Sequence, residues 1–259
     1  MSHRNLASAF LIAFVFLLGA CTTRSISDSG YRENSGYYGR TSGANPFYRG
    51  ELSELDVLGI ERDQAITEDD IRRAFSDKQP LAVKKGTSIL LVQSGALFPD
   101  TPMLTAFEKY YTVAGFTGIP DRPNAPGARP TPATAVTSQP GSYAMTLRLA
   151  AAKGGYEKIV AYWGVLESAR ESMGTKAVSW VPFIGGAIPD EQQRMRIRLK
   201  VAVIDTRTGL WEMFTPDNHE GDALSASYTR ASSDQTQVAM LKEKAYASAS
   251  EDFVKRYAR

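Results

Sequence analysis

Two stretches of this chain are apolar at consecutive positions rather than at alternate ones: Ile89-Leu90-Leu91-Val92, and the run from Ile159 to Leu166. A strand made from such a run presents apolar side chains on both faces, so both faces need cover, as in a parallel strand sandwiched between helices. The intervening sequence supplies the helices. Leu104, Phe107 and Tyr111 repeat at three and four residues, which predicts a helix stopping near Gly115, followed by a short strand from Phe116 to Ile119. Tyr143 to Ala152 is rich in Ala and Leu and reads as a helix ended by Gly154-Gly155. Strand, helix, strand, helix, strand is the order that lays parallel strands side by side under packed helices.

The last third changes period. Met195, Ile197, Leu199, Val201 and Val203 alternate with Arg194, Arg196, Arg198 and Lys200 until Ala202 and Ile204, so one face of this strand is apolar and the other basic for most of its length. Asp205-Thr206-Arg207-Thr208-Gly209 turns the chain, with Gly209 supplying a positive φ, and Leu210 to Phe214 return antiparallel. A final helix is expected from about Asp234 to Tyr257, capped by Ser232 with Gln235, its stripe of Val238, Leu241, Ala245, Ala249 and Phe253 suited to close packing on a sheet. Upstream, Thr67-Glu68-Asp69-Asp70 has the form of a capping box and opens a short helix carrying Ile71, Ala74 and Phe75, which ends before Pro80. The expected fold class is α/β: a single domain with a mixed sheet, parallel core strands, a carboxy-terminal antiparallel hairpin and packed helices.

The amino terminus is of another kind. Arg4 precedes an apolar run from Leu6 to Leu18 of about 13 residues, short of the ~20 that a helix needs to cross a bilayer. The run ends in Leu18-Gly19-Ala20-Cys21, which resembles the bacterial lipobox. That resemblance implies export, cleavage after Ala20, a thioether from Cys21 to diacylglycerol, and acylation of the new amino group. It also implies the outer membrane, because Thr22 stands where an aspartate would favour inner-membrane retention, with the domain facing the periplasm. Cys21 is the only cysteine, so no disulfide can form within the chain and packing alone must hold the domain.

Thr22 to Gly50 is rich in Ser, Gly, Asn and Tyr, with scarcely an aliphatic residue, and reads as a tether that could reach ~95 Å when extended. The expected organisation is therefore a signal peptide at 1–20, a lipidated cysteine and tether at 21–50, and an α/β periplasmic domain at 51–259. Within that domain the proline-rich stretch 120–140 is expected to be an exposed excursion. Thirty basic residues against 28 acidic ones give a formal charge of +2, which excludes a polyelectrolyte partner such as nucleic acid.

The order of elements, with Tyr156-Glu157-Lys158-Ile159-Val160 entering a central strand and Val203-Ile204-Asp205-Thr206-Arg207-Thr208-Gly209 at a hairpin, resembles a shared α/β domain. That domain occurs in the curli-secretion lipoproteins, at the amino terminus of TolB, and in lipoprotein activators of peptidoglycan synthases. The resemblance covers roughly Val83 to Tyr257. It implies a non-catalytic domain that binds envelope protein partners in assembling or regulating a secretion or envelope machine. Its curli branch implies the alternative, a self-associating subunit of an outer-membrane secretion pore; the segment Glu167 to Gln193 is long enough for a membrane hairpin but does not alternate.

The residues themselves offer little catalytic chemistry, so the chain reads as no enzyme and as needing no cofactor. His219 is the one histidine beyond the export signal, and Ser94 lacks the preceding glycine of a nucleophile elbow, reading instead as a strand-end turn. Asp217-Asn218-His219-Glu220-Gly221-Asp222 gathers oxygen ligands without calcium-loop spacing and without a second histidine for zinc. It reads as a solvated connection to the last helix, with no metal. Two surfaces remain as candidates for partner binding. One is the apolar segment Ala177 to Pro189 with Trp180 and Phe183, which otherwise folds over the core. The other is the ladder of Arg194, Arg196 and Arg198, whose charge Glu212 is expected to offset across the hairpin.

Overall fold

The computed structural model describes residues 22–29, 45, 48–60, 65–120, 142–172, 189–226 and 230–258. Its sheet is built on two long strands, β4 (Lys158–Ser172) and β5 (Pro189–Asp205), paired antiparallel from Lys158 opposite Asp205 to Ser172 opposite Glu191. On the outer side of β4, β2 (Ser88–Gln93) pairs in parallel with residues 158–162, and β3 (Thr112–Phe116) pairs in parallel with β2. Beyond the end of β2, β1 (Thr22–Ser25) takes over the same edge and runs antiparallel to residues 165–168. The outer side of β5 is divided in the same way. β6 (Trp211–Phe214) covers residues 201–204, and β7 (His219–Ala226) covers 189–197. This is the mixed sheet with parallel core strands and an antiparallel carboxy-terminal hairpin that the sequence implies.

Helices α1 (Glu54–Leu58) and α4 (Ser142–Lys153) cover one face, where Val57, Leu147 and Ala151 bury Leu90, Val92, Ile159, Ala161, Ala202 and Ile204. On the other face, α3 (Thr101–Glu108) and the 28-residue α5 (Arg230–Tyr257) lie over Ile89, Leu91, Val160, Tyr162, Met195, Ile197, Leu199, Val201 and Val203. The small residues Ala245 and Ala249, 1% and 0% exposed, let α5 approach the strands closely, while Phe253 sits edge-on to Phe107 and Tyr111. Gly209, at φ 77°, closes the turn between β5 and β6, where Asp205 accepts hydrogen bonds from the backbone of Arg207 and Thr208.

Several expectations change. The final helix starts at Arg230, so Ser232 lies inside it and does not cap it. The third strand is Thr112–Phe116 rather than 116–119, because its register with Ser88 to Val92 sets its limits. The expected connection at 217–222 is a strand from His219 onward, since the free edge of β5 at residues 189–197 offers unpaired backbone groups that β7 satisfies.

Helix α2 (Glu68–Ser76) has its capping box, Thr67 N donating to Asp70 Oδ2 at 2.9 Å and Asp70 N to Thr67 Oγ1 at 3.3 Å. Yet every residue from 65 to 80 is exposed, so its apolar stripe packs on none of the described residues of the domain. The largest departure is at the amino terminus. Thr22–Ser29, expected as tether, forms β1 and a 3-10 turn (Ile26–Asp28) in which Ile26 is 1% exposed. Residues 30–44 and 46–47 of the expected tether, residues 121–140 of the proline-rich stretch and residues 173–188 lie outside the described residues.

Candidate functional site

The chain leaves β2 through α3 to β3 on one side and leaves β4 for β5 on the other, so the carboxyl ends of β2 and β4 diverge. In open α/β sheets this divergence opens the crevice in which ligands bind. Here the protein fills it with its own residues. Ile26 lies over Gly164, where the absence of a side chain makes the room; a Cβ on Gly164 would overlap Ile26 Cδ1. Ser27 and Ser29 follow it into the interior, at 8% and 3% exposure.

A buried polar network holds the plug. Gln93, at the end of β2, donates through Nε2 to Ser27 Oγ at 3.0 Å, and its Oε1 accepts from Tyr162 Oη at 2.5 Å and from the Asp100 amide at 2.7 Å. The Ser27 hydroxyl donates to the Ser94 carbonyl, and the Ser94 hydroxyl accepts from the Leu52 amide at 2.7 Å. Trp163 Nε1 donates to the Leu52 carbonyl at 2.9 Å. Asn45 Nδ2 donates to the Ser27 carbonyl at 3.0 Å, tying the later part of the segment to the same turn.

From the helical side, Lys242 of α5 reaches the Ile26 carbonyl at 3.0 Å and Asp100 Oδ2 at 2.8 Å, and Tyr246 donates to the same carboxylate oxygen at 2.6 Å. Burial, followed by the Asp100 charge, pushes the Tyr162 phenol well above its ordinary range. The Tyr246 phenol rises for the same first reason, with Tyr162 and Asp100 adding to it. Both therefore remain donors. At the rim, burial and then Glu51 push Tyr48 up to about 12.

Ser94 is thus committed on both its hydroxyl and its carbonyl to holding residues 27 and 52, a structural role and not that of a nucleophile. His219 opens β7 opposite Ile197, on a different strand pair, and its Nε2 is buried without a hydrogen-bond partner among the described residues. Among the described residues no cluster of three His, Cys, Asp or Glu side chains could hold a metal.

The ladder residues Arg194, Arg196 and Arg198 come together as expected on one face of β5. Arg196 bonds Glu167 through Nε at 2.6 Å and Glu220 at 3.3 Å, while Arg198 reaches Glu167 at 3.4 Å and Lys200 reaches Glu54 at 2.6 Å. The hydrogen bond from Arg196 holds the Glu167 carboxyl below its usual range. Glu212 is not the compensating charge. It stands opposite Val203, whose side chain belongs to the α5 face, and accepts from the Leu81 amide at 3.4 Å. Cys21, Trp180 and Phe183 lie outside the described residues.

The family description "YafT bacterial lipoprotein" matches residues 53–256. The chain belongs to the YafT bacterial lipoprotein family. The match begins after the plug and runs from α1 into the last turn of α5, so it takes in the five helices and every strand of the sheet except β1. A comparison with curated proteins finds no match. Among solved structures, a variant PelC dodecamer from Paraburkholderia phytofirmans is similar at 12% identity, over 66% of this chain and 95% of that one, with a TM-score of 0.23. A second PelC dodecamer from the same organism is similar at 10% identity over the same shares, with a TM-score of 0.24.

The plug is what sequence reasoning missed. In Thr22-Thr23-Arg24-Ser25-Ile26-Ser27-Asp28-Ser29 the single aliphatic residue was the available signal, and it is the one that fills the slot over Gly164. Gln93, Asp100, Lys242 and Tyr246 carry no motif, since they meet only because α3 and α5 pack side by side over β2 and β4.

Proposed function

We propose that this YafT-family lipoprotein is exported, cut before Cys21, acylated on that residue, and held on the outer membrane facing the periplasm, where its domain binds an envelope protein partner without catalysis. The observation that carries partner binding is α2. A capped, amphipathic helix leaves Ile71 and Phe75 exposed at 44% and 76%, with Ile66 at 65% just before it. A contiguous apolar stripe on one face of a capped helix is the usual mark of a helix that a groove receives. Arg194, Arg196 and Arg198 offer a second, polar surface, and Trp180 with Phe183 a third. This reading retains the signal peptide at 1–20. It also retains the likeness in role to the curli-secretion, TolB and synthase-activator lipoproteins.

The test is in-cell crosslinking followed by pulldown of the Ile71→Ala, Phe75→Ala double variant. Loss of the crosslinked partner at unchanged melting is expected, whereas a retained partner overturns the assignment of α2. Flotation of Cys21→Ser tests the anchor, the expected result being release from membranes.

A second reading, a self-associating subunit of a secretion pore, is favoured by the reach of β4 and β5, which remain paired out to Ser172 and Glu191, beyond the helices of one face. The mass of the detergent-extracted protein distinguishes a ring from a monomer.

A further inference from the structure

We infer that Thr22–Ser29 is a latch that fixes the lipid-bearing end of the chain to one end of the sheet, so that the domain stands on the membrane in a set orientation and does not hang on a long tether. The inference rests on the acylation of Cys21 proposed above, and the latch itself rests on the observed packing.

Thr22, the residue immediately after Cys21, is already paired with Ser168, and Thr23, Arg24 and Ser25 continue the ladder to Val165. The Ile26 side chain is buried over Gly164, its carbonyl is held by Lys242, and Ser27 belongs to the buried network with Gln93 and Ser94. One peptide step of ~3.8 Å then separates the acylated residue from a strand-paired one, against the ~95 Å reach of an extended 22–50 segment.

Register supplies the direction. Thr22 lies opposite Ser168, and Ser168 opposite Met195, next to Arg194. The turn after Asp205 lies opposite Lys158, ten residues back along β4, or roughly 33 Å at ~3.3 Å per residue. Acyl chains on Cys21 therefore bring the end of the sheet from Ser168 and Arg194 outward to Ser172 and Glu191 toward the headgroups and hold the Asp205–Gly209 turn away from them. Partners in the membrane meet the first end, and partners in the aqueous space meet the second.

The test uses the full mature acylated protein in vesicles of phosphatidylethanolamine and phosphatidylglycerol that contain a headgroup-nitroxide lipid. A fluorophore is placed on Arg194→Cys or on Arg207→Cys; the Cys21 thiol is blocked by its thioether, so each protein labels once. Strong quenching at 194 with little at 207 is the expected result. Equal quenching at both positions in protein that floats with the vesicles overturns the latch and leaves the anchor intact. Protein that does not float, or that labels at Cys21, overturns the anchor and with it this inference. Ile26→Ser leaves β4 untouched and should erase the difference between the two positions while flotation persists. A difference that survives Ile26→Ser overturns the latch as the device that sets orientation.

Discussion

Along β5 one strand passes through two environments. From Val201 to Ile204 every side chain is buried, at 0%, 0%, 0% and 3% exposure, because α4 lies on one face and α5 on the other. From Arg194 to Lys200 only Met195, Ile197 and Leu199 are buried, because α5 continues over its face while the opposite face carries the arginine ladder and its glutamate partners. β4 makes the same passage, from Ile159 to Trp163 with both faces covered, and then into Val165, 37% exposed, and Glu167. The lower half of the sheet is a three-layer α/β structure; the upper half has two layers, and β1 and β7 serve it as flanking strands. The helix-poor half is where polar residues can be changed without disturbing the core, and it is also where the plug enters.

The comparison can be broken most severely in the lower half. Ala202→Arg places a charge under α4 in a position with no space and no partner, and should cost more than ~4 kcal/mol, enough to leave little folded protein. Circular dichroism and urea denaturation check it, and a well-folded variant would mean that the α4 layer is loose.

Next in size is Ile26→Ala, expected to cost ~2 to 4 kcal/mol by emptying the slot over Gly164. For the same reason a chain beginning at Glu51 should be markedly less stable than one beginning at Thr22, since it also exposes the β4 edge at residues 165–168. Equal denaturation midpoints for the two would return residues 22–29 to the role of a tether.

Asp205→Asn should cost ~1 to 2 kcal/mol at neutral pH by removing the ion pair with Lys158, whose side chain is 12% exposed, while leaving an acceptor for the turn. Burial raises the Asp205 carboxyl, but the hydrogen bonds from Lys158 and Thr208 outweigh it, and the net pKa is lowered. A depressed carboxylate contributes its stability above its unfolded pKa of ~3.9 and loses it as pH falls through the lower folded value. The gap between wild type and Asp205→Asn should therefore narrow below about pH 4; a gap unchanged at pH 3 would show that the charge is not its source.

The smallest effect is expected from Arg196→Gln in the upper half. Exposed ion pairs contribute little, so the denaturation midpoint should not move within error, while any partner bound through the ladder should be weakened. A clear loss of stability would make the ladder part of the framework.

Much of this was legible locally. Ile89 to Val92 and Ile159 to Trp163 are strands covered on both faces because their side chains are apolar at successive positions. The switch from alternation to continuity at Val201 marks in sequence the place where the second helical layer begins. The Asp205–Gly209 turn and the Thr67 capping box were likewise readable, since each depends on residues within a few positions of one another. The site was less legible. Arg194, Arg196 and Arg198 could be placed on a common face, but their partners Glu167 and Glu220 could not, because strand register and not strand spacing brings them together. Thr22–Ser29 has the composition of a linker, yet four backbone pairs with β4 and one isoleucine suffice to dock it once Gly164 leaves a slot.

The sequence by itself determined the α/β class, the two doubly covered strands, the basic and apolar faces of β5 and the tight turn that follows it, because period and turn chemistry are local properties of the chain. Tertiary structure alone decided that β1 and β7 would complete the upper half of the sheet, that α2 would keep its apolar face outward, and that the crevice between β2 and β4 would be closed from within. Each of those depends on whether a distant segment matches an unpaired edge, an apolar stripe or an empty slot in hydrogen bonds and volume, and no periodicity in the segment itself records that.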